Sequence, residues 1–334
     1  MGRITIKDVA REAGVSPSAV SRVYTEGASS SPRMRAKVEA AAERLGYRPS
    51  LLARGLVRRR TNLVALVHGS MSDPFDCQFI DLFSRAMADR GARLLLVAAG
   101  SQTAGGADLL QALDYQADAV VVSAGTMSLD HSARCVQAGL PVVLAGRIVQ
   151  APGVDCVLAD NADGGRQAAE LLIRTGCGTL AYLGQGGATF SDRERAAGFE
   201  EAAGAAGLRI LTEAVPDRSD AAAVAAAIRL FTRTPRPDGV FCSNDTLAIA
   251  AIEAGRALGL TVPDDVSVIG FNNGALASRR TFRLTTLDYP VGDVVDHIID
   301  LLQSRLDTPE RASAVRRIPT RLVVRASTRE QLTY

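Results

Sequence analysis

The chain has 334 residues, of which 47% are hydrophobic, a length that indicates two or more domains. No run approaches the ~18 apolar residues of a membrane-spanning helix and no secretory signal is visible, which excludes a membrane partner and points to the cytoplasm. Residues 1–60 carry thirteen basic against five acidic residues, a net charge of +8, whereas the remaining residues sum to −6; such a basic module on an acidic body is typical of nucleic-acid binders.

The first residues predict a helix-turn-helix. Thr5 and Ser16 are placed to cap two short helices, and Pro17 suits the first position of the second helix. Gly14 lies where a left-handed residue would end the first helix. Apolar residues recur at helical spacing in residues 19–23. Two short helices around a tight glycine turn form a motif whose second helix can enter a DNA major groove.

A third helix and a hinge follow. Ser31 precedes a proline and opens a helix predicted over 33–45, so that three helices make one compact module. Residues 51–58 form a fourth helical candidate, which is under three turns long and contains a glycine. Helices this short are unstable without tertiary support. We therefore expect residues 49–60 to be a hinge that orders only when docked, with an ordinary flexible linker as the alternative.

From residue 62 onward the pattern changes to alternating strands and helices. Apolar runs predict buried parallel strands at 63–67, 94–98, 119–122, 142–145, 154–158, 180–183, 240–242 and 266–269. Amphipathic segments predict helices at 78–90, 162–175, 193–206, 221–232 and 246–258. Repeated βα units indicate doubly wound α/β sheets, and about 270 residues are enough for two lobes. Ligands in such folds bind beyond the carboxyl ends of the strands, here in the cleft between the lobes.

No catalytic or metal-binding constellation is visible. The three histidines stand apart, and the glycines of residues 184–187 follow a strand but lack the third spaced glycine of a dinucleotide site. We therefore expect neither an enzyme nor a metal or cofactor site. The five cysteines are scattered singly, and we expect them to be small buried hydrophobes in a reducing compartment. They are Cys77, Cys135, Cys156, Cys177 and Cys242.

Residues 4–56 strongly resemble the LacI/GalR family of transcriptional regulators. The matching motifs include Asp8-Val9-Ala10, Ala13-Gly14-Val15-Ser16, Val20-Ser21-Arg22-Val23, Leu45-Gly46-Tyr47-Arg48-Pro49 and Ala53-Arg54-Gly55-Leu56. In the body, the matches include Asp73-Pro74-Phe75, Ser243-Asn244-Asp245 and the run from Val262 to Phe271. The resemblance implies an all-α helix-turn-helix head of residues 1–48, a hinge of residues 49–60, and a body of residues 61–334. That body resembles periplasmic sugar-binding proteins, with two lobes joined by three crossovers; the lobes cover about 61–158 with 291–318, and about 159–290 with 319–334.

The resemblance also assigns DNA-contacting positions. Pro17, Ser18 and Arg22 fall on the base-reading positions of the second helix, and a guanidinium can bind guanine O6 and N7 together. Leu56 matches the hinge leucine that wedges into the central minor-groove step, unless it packs between hinge and body, and Arg54 belongs to the same hinge. Four hydroxyl residues are expected to position phosphates, cap helices, or do both: Thr5, Ser16, Ser21 and Ser31.

The family's ligand positions fall on Phe75, Ser191, Arg195, Asn244 and Asn272. Arg195 and Ser191 lie four apart at the start of one helix, so they share a face. Arg195 can fork two ligand oxygens or form a surface ion pair. Asn244 either caps a helix or binds the ligand, and Phe75 either stacks on a ring or fills the core.

Asn272 differs from the aspartate of many sugar-responsive relatives. The substitution removes a negative charge from a cleft that Arg147, Arg195 and Arg218 are expected to approach. We therefore hypothesise that the ligand carries an anionic group, as in a sugar acid or a phosphorylated metabolite.

These features together imply a sequence-specific DNA-binding regulator, a repressor, controlled by a sugar or sugar-derived effector between the lobes. A free-standing solute-binding protein and an activator of the same fold are the alternatives. One recognition helix reads too few base pairs for specificity, so we expect a homodimer on double-stranded DNA with a pseudo-palindromic operator. No heptad-rich tail follows Arg325, which favours a dimer over a tail-bundled tetramer.

The Arg22→Ala substitution is expected to abolish the preference for operator DNA, because a bidentate guanine contact contributes about 1–3 kcal/mol of discrimination between bases. Effector affinity should stay unchanged because the effector binds in the body. Band-shift and calorimetric titrations on the same variant measure both, and lost effector binding would contradict the modular interpretation.

Overall fold

A computed structural model describes residues 4–25, 28–48, 61–69, 71, 73–98, 114–123, 129–217 and 219–330. The chain divides into two compact units, Met1–Leu63 and Val64–Tyr334. The predicted hinge, with Arg54 and Leu56, lies outside the described residues, and the predicted domain limits stay a prediction. Within the described ranges, no helix has the length and apolar character needed to cross a bilayer.

The described part of the first unit contains three helices: α1 (Ile6–Ala13), α2 (Pro17–Val23) and α3 (Pro32–Leu45). The predicted helices are confirmed, and α3 begins at Pro32, one residue before its predicted start. The hydroxyls of Ser16 and Ser31 accept hydrogen bonds from backbone N–H groups at the starts of α2 and α3, each at 3.2 Å. Gly14 and Gly46 end α1 and α3 with φ values of 59° and 63°, which glycine adopts without a Cβ penalty.

A small apolar core holds the three helices together. Val9, Val20 and Val38 are completely buried, one from each helix, and smaller residues fill the space between them. Thr5 lies at the N-cap position of α1, but its hydroxyl donates to the Asp8 carboxylate at 2.7 Å. The helices therefore meet through the apolar faces that the sequence periodicity predicts.

Twelve strands form two six-stranded sheets in the described part of the second unit. They are β1 (Leu63–His68), β2 (Arg93–Ala98), β3 (Ala119–Ser123), β4 (Val142–Ala145), β5 (Val154–Ala159), β6 (Leu180–Gly184), β7 (Ile210–Ala214), β8 (Gly239–Cys242), β9 (Ser267–Asn272), β10 (Thr285–Asp288), β11 (Val315–Ile318) and β12 (Arg321–Val323). The first sheet has the order β2-β1-β3-β4-β5-β11, and the second has the order β7-β6-β8-β9-β10-β12. The described pairings are parallel except that of β10 with β12.

Helices cover the faces of both sheets. They are α4 (Pro74–Asp89), α5 (Leu129–Gln137), α6 (Asn161–Arg174), α7 (Phe190–Ala205), α8 (Asp220–Phe231), α9 (Asp245–Ala257) and α10 (Val291–Asp307). We call the first sheet with α4, α5 and α10 the first lobe, and the second sheet with α6 to α9 the second lobe. The chain crosses between the sheets after β5, β10 and β11, so the predicted doubly wound α/β fold with two lobes and three crossovers is confirmed.

The structure also contains strands and helices that the apolar runs did not predict. Strands β7, β10, β11 and β12 are absent from the prediction because each has few large apolar residues; β11 reads VRRI at the edge of its sheet. Helix α4 begins at Pro74, before the predicted start at residue 78. Asp73 accepts a hydrogen bond from the Phe75 N–H at 2.9 Å and so caps the helix earlier.

The cysteine prediction holds for four residues and is wrong for Cys77. All five thiols are free, and the other four are buried as expected. Cys77 is exposed because it lies on the polar side of the first turn of α4.

Two glycines allow α6 and α7 to lie unusually close. A Cβ added at Gly165 would overlap the backbone of α7, and one added at Gly198 would overlap the backbone of α6. Only glycine therefore permits this helix–helix distance. The close approach brings Arg195 on α7 within reach of Asn161, the first residue of α6.

A buried ion cluster fastens α10 and the following loop to the first sheet. Asp155 in β5 is completely buried, and its carboxylate accepts hydrogen bonds from Arg305 at 2.9 Å and from Arg311 at 2.7 Å. The Ala314 N–H donates to the same carboxylate at 2.8 Å, just before β11 begins. One buried anion therefore holds two cations and the entry to an edge strand.

We predict that Asp155→Asn destabilises the second unit by about 3–5 kcal/mol, because two guanidinium groups lose the anion with which they pair at a buried site. Urea unfolding followed by circular dichroism measures the loss. The matched control is Asp81→Asn, which removes an exposed ion pair with Arg85 and should cost at most about 1 kcal/mol. Equal effects of the two substitutions would show that the Asp155 cluster is not a stabilising element.

Candidate functional site

The predicted DNA-contacting residues of the first unit that lie in the described ranges are all exposed. They are Thr5, Ser16, Pro17, Ser18, Ser21, Arg22 and Ser31. The Arg22 side chain makes no hydrogen bond or ion pair with another described residue, so its guanidinium is available to a partner. Ser16 and Ser18 share a hydrogen bond of 2.9 Å between their hydroxyls at the start of α2. The exposed start of α2 thus combines small polar groups with one cation.

A cavity of about 140 Å³ lies between the two sheets of the second unit. Its lining includes the carboxyl ends of parallel strands in both lobes, with Ser123 at the end of β3 and Ser243 directly after β8. The predicted position beyond the carboxyl ends of the strands is therefore confirmed as a cavity. All five residues predicted to contact the effector line it: Phe75, Ser191, Arg195, Asn244 and Asn272.

Arg195 lies at the base of the cavity and is only 8% exposed. Its Nε donates to the Asn161 side-chain oxygen at 2.8 Å, its Nη1 donates to the Ser243 carbonyl, and its guanidinium carbon lies 3.5 Å from the centre of the Phe271 ring. No carboxylate of the described residues forms an ion pair with it, and burial lowers the pKa of the guanidinium. Arg195 thus does not form a surface ion pair with a described residue, and its Nη2 has no hydrogen-bond partner among the described residues.

The first turn of α7 also contacts the first lobe. The Ser191 hydroxyl donates to the Gly146 carbonyl, which follows β4, at 2.9 Å. Thr189 caps the helix, so α7 begins at Phe190 and not at the predicted residue 193. As expected from the spacing, Ser191 and Arg195 share the face that lines the cavity.

Asp192 on the same turn orders the loop after β6. It is 3% exposed, and its carboxylate accepts hydrogen bonds from the backbone N–H groups of Gln185 at 3.1 Å and Gly187 at 2.7 Å. The Tyr182 hydroxyl donates a third at 2.8 Å. Gln185 therefore reaches the cavity from a loop whose backbone is fixed by a buried anion. No pattern in the sequence identified Gln185 as a lining residue.

Asp73 and Asn244 form the rim of the cavity. Each caps a helix: the Phe75 N–H donates to Asp73 at 2.9 Å, and the Leu247 N–H donates to Asn244 at 2.9 Å. Asn244 Nδ2 then donates to the second oxygen of Asp73 at 3.0 Å, from one lobe to the other. Asn244 is thus a cap that also lines the cavity.

The apolar wall of the cavity is aromatic. Phe75 lies edge-on to Tyr289, with 4.7 Å between the ring centres, and both residues line the cavity. Burial raises the pKa of Tyr289 to about 12, so its hydroxyl is neutral at physiological pH. Phe75 is half-buried, so it both extends the core and offers a ring to the cavity.

Asn272 lines the cavity from a strained backbone position. Its φ is 114°, and that of Asn273 is 52°, in the region that residues other than glycine rarely adopt. The Asn273 side-chain oxygen accepts a hydrogen bond from Arg325 Nη2 at 2.7 Å, and Asn273 Nδ2 donates one to Asp288 Oδ1 at 3.0 Å. Strain of this kind costs about 1–3 kcal/mol and is typical of functional sites.

Of the three arginines expected at the cleft, two lie in the described ranges, and only one of these two lines the cavity. Arg195 lines the cavity, Arg147 is not among the lining residues, and Arg218 lies outside the described residues. Three carboxylates line the cavity beside the one cation: Asp73, Asp76 and Asp192. The charge balance of the described lining therefore does not favour an anionic ligand.

Comparisons with known proteins agree with both units. Residues 5–50 match bacterial regulatory proteins of the lacI family, and residues 169–328 match a periplasmic binding protein-like domain. The HTH-type transcriptional regulator CelR of Thermobifida fusca is 33% identical over 339 residues, which cover 97% of this chain and 98% of that protein. A solved complex of transcriptional regulator CelR with cellobiose is 29% identical with a TM-score of 0.70, covering 97% and 100% of the two chains. The lac repressor dimer bound to operator and the anti-inducer ONPF has a TM-score of 0.88 at 23% identity, covering 98% and 100%, which is a likeness of fold.

Asp245 next to the rim supports the site and makes stability depend on pH. Its carboxylate is 7% exposed and accepts hydrogen bonds from the Thr286 hydroxyl at 2.5 Å and the Gly274 N–H at 2.7 Å. Burial raises the pKa of this carboxyl from 3.8 to about 7. Between these values the folded chain holds a proton that the unfolded chain releases.

We therefore predict that the free energy of unfolding falls as pH rises from about 4 to about 7, by at most roughly 4 kcal/mol. Asp245→Asn should remove this part of the slope because the amide carries no charge. Urea titrations at intervals of one pH unit measure it, with Asp296→Asn on the exposed side of α10 as the control. An unchanged slope in Asp245→Asn would contradict the assignment.

Proposed function

Because the chain belongs to the lacI family of bacterial regulatory proteins, we propose that it is a cytoplasmic transcriptional repressor whose operator affinity is set by a neutral, hydroxyl-rich sugar. The family consists of DNA-binding transcriptional regulators and not of enzymes. The observation that carries the proposal is the position of Arg195, buried at the base of an interlobe cavity with one terminal nitrogen left for a ligand.

The lining of the cavity suits a neutral ligand with many hydroxyl groups. Carboxylate and amide oxygens of Asp73, Asn244 and Asn272 can accept hydrogen bonds from the hydroxyl groups of a sugar, and Arg195 can donate to the oxygen atoms of the sugar. Phe75 and Tyr289 offer apolar surface to the carbon skeleton. Relatives support this class, since the CelR structure holds cellobiose and a 28% identical relative is the sucrose operon repressor of Streptococcus mutans.

The ligand and the lobes are coupled through one turn of helix. Ser191 contacts the first lobe and Arg195 contacts the cavity, so a ligand that moves Arg195 changes the interlobe contact. A ligand shifts the arrangement of the lobes only by as much as its affinity differs between the two arrangements. In the proposed mechanism, the arrangement of the lobes sets the separation of the paired hinges in a homodimer. This separation in turn sets the affinity of the homodimer for a pseudo-palindromic operator.

The decisive variant is Arg195→Met. It keeps the length and apolar packing of the stem but removes the donors, so we expect at least a hundredfold loss of sugar affinity, consistent with about 2–5 kcal/mol for a buried charged partner. DNA binding without sugar should be retained. Fluorescence anisotropy with operator fragments selected in vitro measures DNA affinity before and after addition of glucose, cellobiose, glucose 6-phosphate and gluconate.

The matched control is Arg166→Met on the exposed face of α6, where the guanidinium pairs with Asp163 and Glu170. This variant should keep the sugar response. If only the phosphate or the sugar acid changes DNA affinity, the neutral class is wrong. If Arg195→Met responds to the sugar like the unsubstituted protein, the cavity is not the regulatory site.

A further inference from the structure

Asp73 and Asn244 are linked by a hydrogen bond that joins the lobes without disturbing either helix cap. One side-chain oxygen of each residue accepts from its own helix, through the Phe75 and Leu247 N–H groups. The polar atoms that remain, Asp73 Oδ2 and Asn244 Nδ2, lie 3.0 Å apart. Since the caps fix both side chains, this bond forms only when the two lobes are at one particular separation.

The bond lies on a boundary between two spaces. Asp73, Gln185 and Asn244 line the cavity that contains Arg195, and the same three residues line a smaller pocket beyond it. That outer pocket is also lined by Ser219 and Leu247 of the second lobe. A ligand that extended from Arg195 into the outer pocket would meet these bonded side chains on its way.

The cavity is partly open to solvent, and the space inside it is small for a two-ring ligand. The cavity holds about 140 Å³, whereas an engineered protein cavity of roughly 150 Å³ accommodates a single benzene ring. Pockets for larger ligands usually begin at about 300 Å³. With the hydrogen bond formed, the cavity therefore has room for one ring.

We propose that the Asp73–Asn244 hydrogen bond is a gate that limits the ligand of the closed cavity to one sugar ring. A two-ring sugar binds only when the gate is broken, with its second ring beyond Asp73 and Asn244. The inference rests on the proposed function, because it specifies the size of the sugar in the same cavity.

Exchanging the two side chains tests the gate without removing a cap. In Asp73→Asn the single amide oxygen is taken by the Phe75 N–H, so its NH₂ group faces the NH₂ group of Asn244. In Asn244→Asp two carboxylates face each other. Asp and Asn are about equally good caps, so each single variant keeps its helix start and loses the gate. The double variant restores one donor and one acceptor in exchanged positions.

Calorimetry on the full chain compares glucose, galactose, fructose and ribose with the disaccharides cellobiose, lactose and sucrose. We expect the unsubstituted protein to bind the single-ring sugars with at least tenfold higher affinity than the disaccharides. This difference corresponds to roughly the free energy of one hydrogen bond to a charged group. Each single variant should lose most of this preference, and the double variant should regain it. Asp160→Asn, a cap of α6 outside the cavity lining, is the control and should keep the preference.

The outcomes separate this inference from the function on which it rests. A preference of the unsubstituted protein for a disaccharide, or a double variant that behaves like the single variants, would overturn the gate. The second result would mean that Asp73 and Asn244 set the preference through their separate ligand contacts and not through the bond between them. If none of these sugars binds or alters DNA affinity, the proposed sugar response itself fails, and the gate fails with it. Thermal melts of all variants establish that each one is folded.

Discussion

Arg195 brings a positive charge into the centre of the second unit, and its stabilisation constrains the elements around it. Removing a guanidinium from water costs several kcal/mol, and here no carboxylate of the described residues offsets that cost by an ion pair. The compensation comes from the Asn161 oxygen, the Ser243 carbonyl and the face of Phe271. These groups begin α6, follow β8 and lie in β9, so α7 must keep a fixed position against all three elements.

The same constraint explains why ligand binding and lobe position are linked. Gly165 and Gly198 let α7 approach α6 closely enough for Arg195 to reach Asn161. In the helical turn before Arg195, the buried Asp192 binds the loop after β6 and Ser191 contacts the first lobe. A rigid helical turn therefore carries a ligand contact, a loop anchor and an interlobe contact together. Such a turn responds as a unit, because packed interiors resist local deformation.

Most of the fold and a large part of the site could be predicted from local patterns. The caps at Ser16 and Ser31 and the glycine ends of α1 and α3 follow from chemistry within four residues. Strands with continuous apolar runs were found, whereas β10 and β11 were not, because β10 contains one large apolar residue and β11 is a mostly exposed edge strand with two arginines. Family resemblance placed five residues on one cavity but missed Gln185 and Asp73, whose roles depend on the loop that Asp192 holds and on the facing lobe.

The sequence by itself determined the three-helix head, the alternating α/β body, the family, and the residue types that meet at the carboxyl ends of the strands. These depend on periodicity, capping and spacing, which act over a few residues. Only the tertiary structure decided that Arg195 lacks an ionic partner among the described residues, that carboxylates outnumber cations in the described lining, and that Asp73 meets Asn244 across the cleft. Residues 73 and 244 belong to different lobes, and the distance between them depends on how the two lobes lie against each other. No local pattern in a single sequence encodes a distance of that kind.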